Sequence, residues 1–177
     1  MRTIPPVKPL VAFNLSRWIE THRAELRPPV GNKRIFHDSE FIIMVVGGPN
    51  SRKDFHVDPA EEFFFQLEGD MLLHTQHHGK RQSTRIAAGD ILLLPPGVPH
   101  SPERFANTVG LVVERERREA EQDGFQWYCE NCNALLYQES FGLTNIETQF
   151  PALFERFYGD LAKRSCKQCG SVMARPR

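Results

Sequence analysis

The chain has 177 residues, with 22 basic and 22 acidic side chains and therefore no formal net charge. That length fits one medium domain with room for a small appendage, and nothing in the charge balance suggests an electrostatic grip on nucleic acid or a membrane surface. No apolar run approaches the roughly 20 residues of a membrane span, and the start, Met1-Arg2-Thr3-Ile4-Pro5-Pro6, has no signal-peptide core, so a cytoplasmic protein with a small-molecule site is expected.

Residues 13–26 read as an amphipathic helix, with Asn14 as N-cap and Leu15, Trp18, Ile19 and Leu26 near one face; Pro28-Pro29 stops it. From residue 34 the period changes to two. Short strands are expected at 34–36, 41–46, 54–57, 62–67, 71–76, 83–87, 91–94 and 110–114. Turn signals separate them, among them Gly47-Gly48-Pro49-Asn50, Glu68-Gly69-Asp70, His78-Gly79-Lys80 and Pro95-Pro96-Gly97. The expected class is all-β with minor helices: a sandwich, jelly roll or barrel. Phe63-Phe64-Phe65 and Ile91-Leu92-Leu93-Leu94 carry apolar residues on both faces, so both faces of those strands should be covered. The charged run 114–123 reads as a solvated crossing, except for Glu114, which alternation places on the face of Val112. After Gly124 the composition shifts, which divides the chain into a barrel over 1–124, including the first helix, and a C-terminal segment over 125–177 packing on it.

Two constellations carry chemistry. His56 and Glu62, six residues apart, are joined much later by His100, which follows the turn at residues 95–99. Two imidazoles and one carboxylate hold a divalent metal on one face and leave other positions open. Of the other histidines, His74, His77 and His78 read as surface or core residues, with His77-His78-Gly79 in an exposed hairpin turn. The second constellation is Cys129-x2-Cys132 with Cys166-x2-Cys169. Four thiolates from two such pairs suit tetrahedral iron or zinc and leave no open position, so a structural clip is expected, against the alternatives of electron transfer or iron delivery. The long stretch between the pairs leaves room for a helix near 151–163.

The residues Gly48-Pro49-Asn50-Ser51-Arg52-Lys53-Asp54-Phe55-His56, followed by Glu61-Glu62-Phe63-Phe64-Phe65-Gln66-Leu67-Glu68-Gly69-Asp70, resemble the first cupin motif, and Gly89-Asp90-Ile91-Leu92-Leu93-Leu94-Pro95-Pro96-Gly97-Val98-Pro99-His100 resembles the second. Asp58 stands where many cupins carry a second histidine. The wording of these motifs, with the cysteine pairs, resembles the bacterial 3-hydroxyanthranilate 3,4-dioxygenases over essentially the whole chain. That resemblance implies a cupin jelly-roll barrel with a rubredoxin-like C-terminal site. It implies Fe(II) on His56, Glu62 and His100, and a second iron (or zinc) on Cys129, Cys132, Cys166 and Cys169. The implied substrates are O2 and an aromatic ring bearing neighbouring hydroxyl, amino and carboxylate groups; ring opening yields 2-amino-3-carboxymuconate semialdehyde, a precursor of quinolinate. Arg52 and Arg104 would anchor the carboxylate by guanidinium forks. Glu114 would orient an arginine or move a proton, Glu62 would also border the substrate, and Asn32 and Ile146 would belong to covering loops. A homodimer is implied, as is a place in tryptophan breakdown, a nitrobenzoate route or NAD synthesis. The competing readings are another cupin dioxygenase, a metal-dependent isomerase, or a non-catalytic metal-binding module.

Overall fold

The computed structural model describes residues 11–28, 31–50, 52–144 and 146–176, without the side chains of 146–148. The first helix, α1 (Leu15–His22), starts where the Asn14 side chain accepts a hydrogen bond from the Arg17 amide at 2.9 Å. It tightens into a 3-10 turn over Arg23–Leu26, so the expected apolar face survives while the last turn changes type. Ile19 and Leu26 bury against Val45 and Val109 on the outside of the first sheet.

Eleven strands follow among the described residues: β1 (Asn32–Arg34), β2 (Phe41–Gly47), β3 (Asp54–Val57), β4 (Glu62–Glu68), β5 (Met71–His77), β6 (Lys80–Ile86), β7 (Ile91–Leu94), β8 (His100–Arg104), β9 (Val109–Arg115), β10 (Asp123–Tyr128) and β11 (Leu135–Phe141). They form two antiparallel sheets, ordered β1-β2-β9-β4-β7 and β11-β10-β3-β8-β5-β6. Ile42, Met44, Phe64, Met71, Leu73, Ile86, Leu94 and Val112 pack between the sheets as the main core. The β5–β6 hairpin closes through His78 and Gly79, at φ 48° and 75°, which is the pair of positive φ values a two-residue type I′ turn requires.

Three strands depart from the pattern read in the sequence. β8 carries Pro102 in its middle, which argues against a strand. β3 pairs with β8 only at His56–His100; beyond it the Asn50 side chain takes over, donating to the Pro102 carbonyl at 2.7 Å and accepting from the Arg104 amide at 3.0 Å. In an antiparallel strand a residue's N–H and C=O point the same way, so the hydrogen Pro102 lacks is on the side where no strand needs it. β10 and β11 are the other two. The boundary expected near residue 124 lies inside β10, which pairs with β3 from Gly124 to Trp127.

The C-terminal helix α2 (Ile146–Tyr158) begins five residues before the expected start and carries Pro151 inside; α3 (Leu161–Arg164) is capped by Asp160. Phe150, Leu153, Phe157, Tyr158 and Met173 pack with Phe125 and Trp127 into a second core. Trp127 is completely buried and stacks on Phe157, ring centroids 4.4 Å apart. No helix among the described residues is long and apolar enough to cross a membrane.

Candidate active site

Alternation on five strands aims side chains into one cavity of about 620 Å³. β2 contributes Met44 and Val46, β3 Asp54 and His56, β4 Glu62 and Phe64, β8 His100, Pro102 and Arg104, and β9 Val112 and Glu114. The three expected ligands come together here. His56, Glu62 and His100 are all buried, and one donor atom from each lies within 4.8 Å of the others. The His56–His100 pairing of β3 and β8 sets two of them side by side.

The donor set fits a divalent ion. At metal–ligand bonds of about 2.1 Å, neighbouring octahedral donors stand about 3 Å apart. His100 Nε2 and Glu62 Oε2 are 2.7 Å apart, yet Glu62 Oε2 has no hydrogen-bond donor: the contact is close without the ring N–H running along it. Each imidazole is held from behind, as metal-bound histidines are. His100 Nδ1 meets the Val98 carbonyl at 3.0 Å, and His56 Nε2 meets Asp123 Oδ1 at 2.7 Å. Burial works against the charges of Glu62 and His100, but their mutual attraction prevails, so the carboxyl lies below its ordinary range and the imidazole above. Asp58 is buried and accepts from the Ala60 amide at 2.6 Å, which leaves it outside the ligand set.

Arg104 is 2 % exposed, and among the described residues it faces no carboxylate partner; Nη1 reaches Gln66 Oε1 at 3.3 Å and Nε has no partner. Gly110 makes this placement possible, because a Cβ there would lie 2.6 Å from Arg104 Nη1 and 2.9 Å from Gln66 Oε1. Burial, with the charge of Arg52 nearby, lowers Arg104 to about 10. A buried cation with no carboxylate bound to it, on the wall of a cavity, is open to an anionic ligand. Arg52 also lines the cavity, but it is forked onto Asp54, its Nε 3.1 and 3.2 Å from the two carboxylate oxygens. Its guanidinium also stands within 6 Å of the Phe125, Phe150 and Phe154 rings, two of them on α2.

Glu114 is 3 % exposed and lies beside Val112 on the cavity wall. Burial, a hydrogen bond with Asp58 and the negative charge of Glu62 hold its carboxyl well above the usual range. Asn32 opens β1, paired with Val46, and reaches the cavity from a strand instead of a loop. Ile146, expected in a covering loop, opens α2; its side chain lies outside the described residues. The run 114–123 is exposed at Glu116, Arg118, Glu119, Ala120 and Gln122, as a solvated crossing should be, but the Arg117 side chain and Asp123 turn inward, and Asp123 holds His56. Nothing in a string of alternating charges marks these two; the only signal is that Asp123 begins a strand and so can turn inward. His77 and His78 are exposed, and His74 is occupied by Ser83 and Glu103 at 2.7 and 2.8 Å.

The four cysteines form a second cluster, their sulfurs within 4.8 Å of one another. Cys129 and Cys169 are 3.5 Å apart, as are Cys132 and Cys166. Four sulfurs on a tetrahedral ion at about 2.3 Å would stand about 3.8 Å apart, so the donor set fits. The two loops are built alike. The amide of Asn133 returns to the Cys129 carbonyl and that of Gly170 to the Cys166 carbonyl, both at 2.9 Å, with Asn133 and Gly170 at positive φ. Cys129 and Cys166 are buried, while Cys132 and Cys169 are exposed.

Residues 8–158 match the family model of the 3-hydroxyanthranilic acid dioxygenases. A protein of Xanthomonas euvesicatoria pv. vesicatoria (strain 85-10) named 3-hydroxyanthranilate 3,4-dioxygenase is 56% identical over 173 residues, 98% of this chain and 94% of the relative. One of the same name from Bacillus cereus (strain ATCC 10987 / NRS 248) is 45% identical over 167 residues, 94% of this chain and 93% of the relative. Among solved structures, protein NMB1881 from Neisseria meningitidis superposes with a TM-score of 0.48 at 19% identity, covering 60% of this chain and 100% of its own. A histidine–glutamate–histidine cluster in a two-sheet fold, a separate cysteine cluster, and a family model and named relatives that match along most of the length agree: the chain belongs to the 3-hydroxyanthranilic acid dioxygenase family.

Proposed function

We propose that this protein opens the ring of 3-hydroxyanthranilate with O2, giving 2-amino-3-carboxymuconate semialdehyde, with Fe(II) held by His56, Glu62 and His100. The observation that carries the reading is the pairing of three buried donor atoms with a buried guanidinium that has no carboxylate on it, Arg104, on the wall of one cavity. Ferrous iron in such a site supplies a centre where ring and dioxygen meet and electron density passes between them. Both oxygen atoms enter the product, so no external reductant is consumed. Arg104 takes the substrate carboxylate and thereby fixes which ring edge faces the three ligands. Arg52, held by Asp54 and the phenylalanine rings, adds positive potential at the same end. Glu114 Oε1 is buried without a protein donor and exchanges a proton with the ring hydroxyl or amine. Phe64, Phe150 and Phe154 wall the cavity and exclude water.

The division of labour follows the chain. Residues 1–124 supply the ligands and the anchoring arginines, and residues 125–177 close the cavity with α2 and fasten it with iron or zinc on the cysteines. Adding 3-hydroxyanthranilate to Fe(II)-loaded protein should consume one O2 per substrate while the ring absorbance gives way to that of the opened product. A metal-dependent isomerase would leave oxygen untouched, and that result would end this reading.

A homodimer is part of the same proposal. On the outer face of the first sheet Ile43, Val113, Phe63 and Leu93 align across four strands, and Phe41, Ile91 and Leu93 are 56, 66 and 57% exposed. Leu93→Lys should yield a monomer in sedimentation while turnover persists; a monomeric parent protein would contradict the assembly.

A further inference from the structure

The connection from β9 to β10 contains a device that the reaction described above does not use. The Arg117 side chain is 5% exposed, and each guanidinium nitrogen has a protein acceptor. Nε and Nη2 fork onto the two oxygens of Asp123 at 2.7 and 2.6 Å. Nη2 also reaches Glu114 Oε2 at 3.1 Å and Asp58 Oδ2 at 3.0 Å, and Nη1 donates to the Arg115 carbonyl at 2.9 Å. Asp123 Oδ1, on the other side, meets His56 Nε2. The connection is braced from outside as well: Arg115 forks onto Glu121 at 2.6 Å through both nitrogens, Glu121 accepts from the Arg118 amide at 2.8 Å, and the Glu116 amide donates to the Glu40 carbonyl at 2.9 Å.

We propose that Arg117 is a positioning residue for the metal site: its fork fixes the Asp123 carboxylate that orients the His56 imidazole, leaving Nδ1 as the nitrogen offered to the ion. An imidazole turns about its last side-chain bond, and one hydrogen bond to a freely rotating carboxylate would turn with it. A carboxylate gripped on both oxygens cannot follow, so the ring is set before an ion arrives. The geometry also makes the two histidines unlike, since His100, held at Nδ1 by Val98, turns Nε2 toward Glu62. A mere counter-charge for three buried carboxylates would need a cation but no fork, which separates the two accounts. The proposal rests on His56, Glu62 and His100 being ligands.

The test is the Mn(II) dissociation constant, followed by the EPR signal of free Mn(II), in protein whose cysteine cluster is filled with Zn(II); Mn(II) prefers nitrogen and oxygen donors and takes thiolates poorly. Arg117→Gln and Asp123→Asn should each weaken Mn(II) binding about 10- to 100-fold. Because Arg117 acts through Asp123, the double variant should fall within about threefold of the weaker single one. Arg117→Lys, which keeps the charge and loses the fork, should remain at least about fivefold weaker than the parent. Parent affinity in Arg117→Lys, or multiplying effects in the double variant, would overturn the proposal. If Arg117→Gln does not fold, Arg117→Lys and the isosteric Asp123→Asn decide the matter, unchanged affinity in both overturning it. Glu62→Gln is the reference: it should abolish Mn(II) binding, and parent affinity there would remove the ligand assignment itself, whatever Arg117 does.

Discussion

The barrel cluster and the cysteine cluster are both sets of metal-ligating side chains, yet they are made in opposite ways. The cysteine cluster is assembled from two loops that each carry their own geometry: a four-residue spacing, a backbone turn and a residue at positive φ. Two of its cysteines are exposed and two are buried. The barrel cluster has no local motif of that kind. Its three residues come from three strands: sheet pairing sets His56 beside His100, Glu62 meets them from the other sheet, and the two imidazoles are held from behind by Asp123 and by the Val98 carbonyl. One cluster is closed and self-contained, which suits a fastener. The other is open, buried and dependent on distant groups, which suits chemistry.

The sharpest way to break this comparison is to remove one carboxylate. Glu62→Gln should abolish turnover and metal at the barrel cluster while the cysteine cluster still takes up one metal per chain; metal analysis with an oxygen electrode checks both halves. Next in size is Arg104→Ala, which leaves a buried anion site without its cation. A loss of about 3 kcal/mol in substrate binding, roughly two orders of magnitude in KM, is expected with Fe(II) affinity unchanged. A related measurement sharpens the point. Arg104 is held near 10, so its charge is present below that pH and lost above it. Binding of 2-aminobenzoate, which has nothing titrating there, should therefore weaken as pH rises through about 10 and stay flat below. Glu114→Gln mimics the protonated acid but cannot pass a proton on. It should lower kcat about 100-fold with KM within about threefold, as steady-state kinetics would show. The smallest effect on chemistry belongs to the other cluster. Cys129→Ala should lower the melting temperature, since that end of the second core is no longer fastened, while turnover of the iron-loaded protein stays within about threefold. Complete loss of turnover in that variant, folded and loaded, would erase the distinction.

The two regions also differ in how plainly the chain announces them. Spacing alone marks the four cysteines, because their geometry is local. Strand layout and turn signals put His56, Glu62 and His100 at one end of the barrel, and the family resemblance marks them as ligands; alternation puts Glu114 on the face of Val112. Arg117 and Asp123 were not, because a charged run looks solvated unless one knows that His56, 67 positions earlier, is waiting for a carboxylate. β8 was hidden by Pro102, whose missing N–H matters only if a neighbouring strand needs it, and here the Asn50 side chain stands in that place. β10 was hidden by the composition shift that falls in its middle. The place of Ile146 in a covering loop is what the family resemblance implies, whereas it opens α2, which carries Pro151 inside. For Asp123 and β8 the deciding partner is remote in sequence, which is where pattern reading ends and packing takes over.

Nitric oxide binding is the most direct test of the open barrel cluster. Nitric oxide stands in for dioxygen and gives a half-integer-spin EPR signal only with ferrous iron that has a vacant position. The account predicts one such signal per chain in Fe(II)-loaded protein, reshaped when 3-hydroxyanthranilate is added and lost in Glu62→Gln while Cys129→Ala retains it. A signal that ignores the aromatic ligand, or that disappears with Cys129 and persists without Glu62, would contradict it.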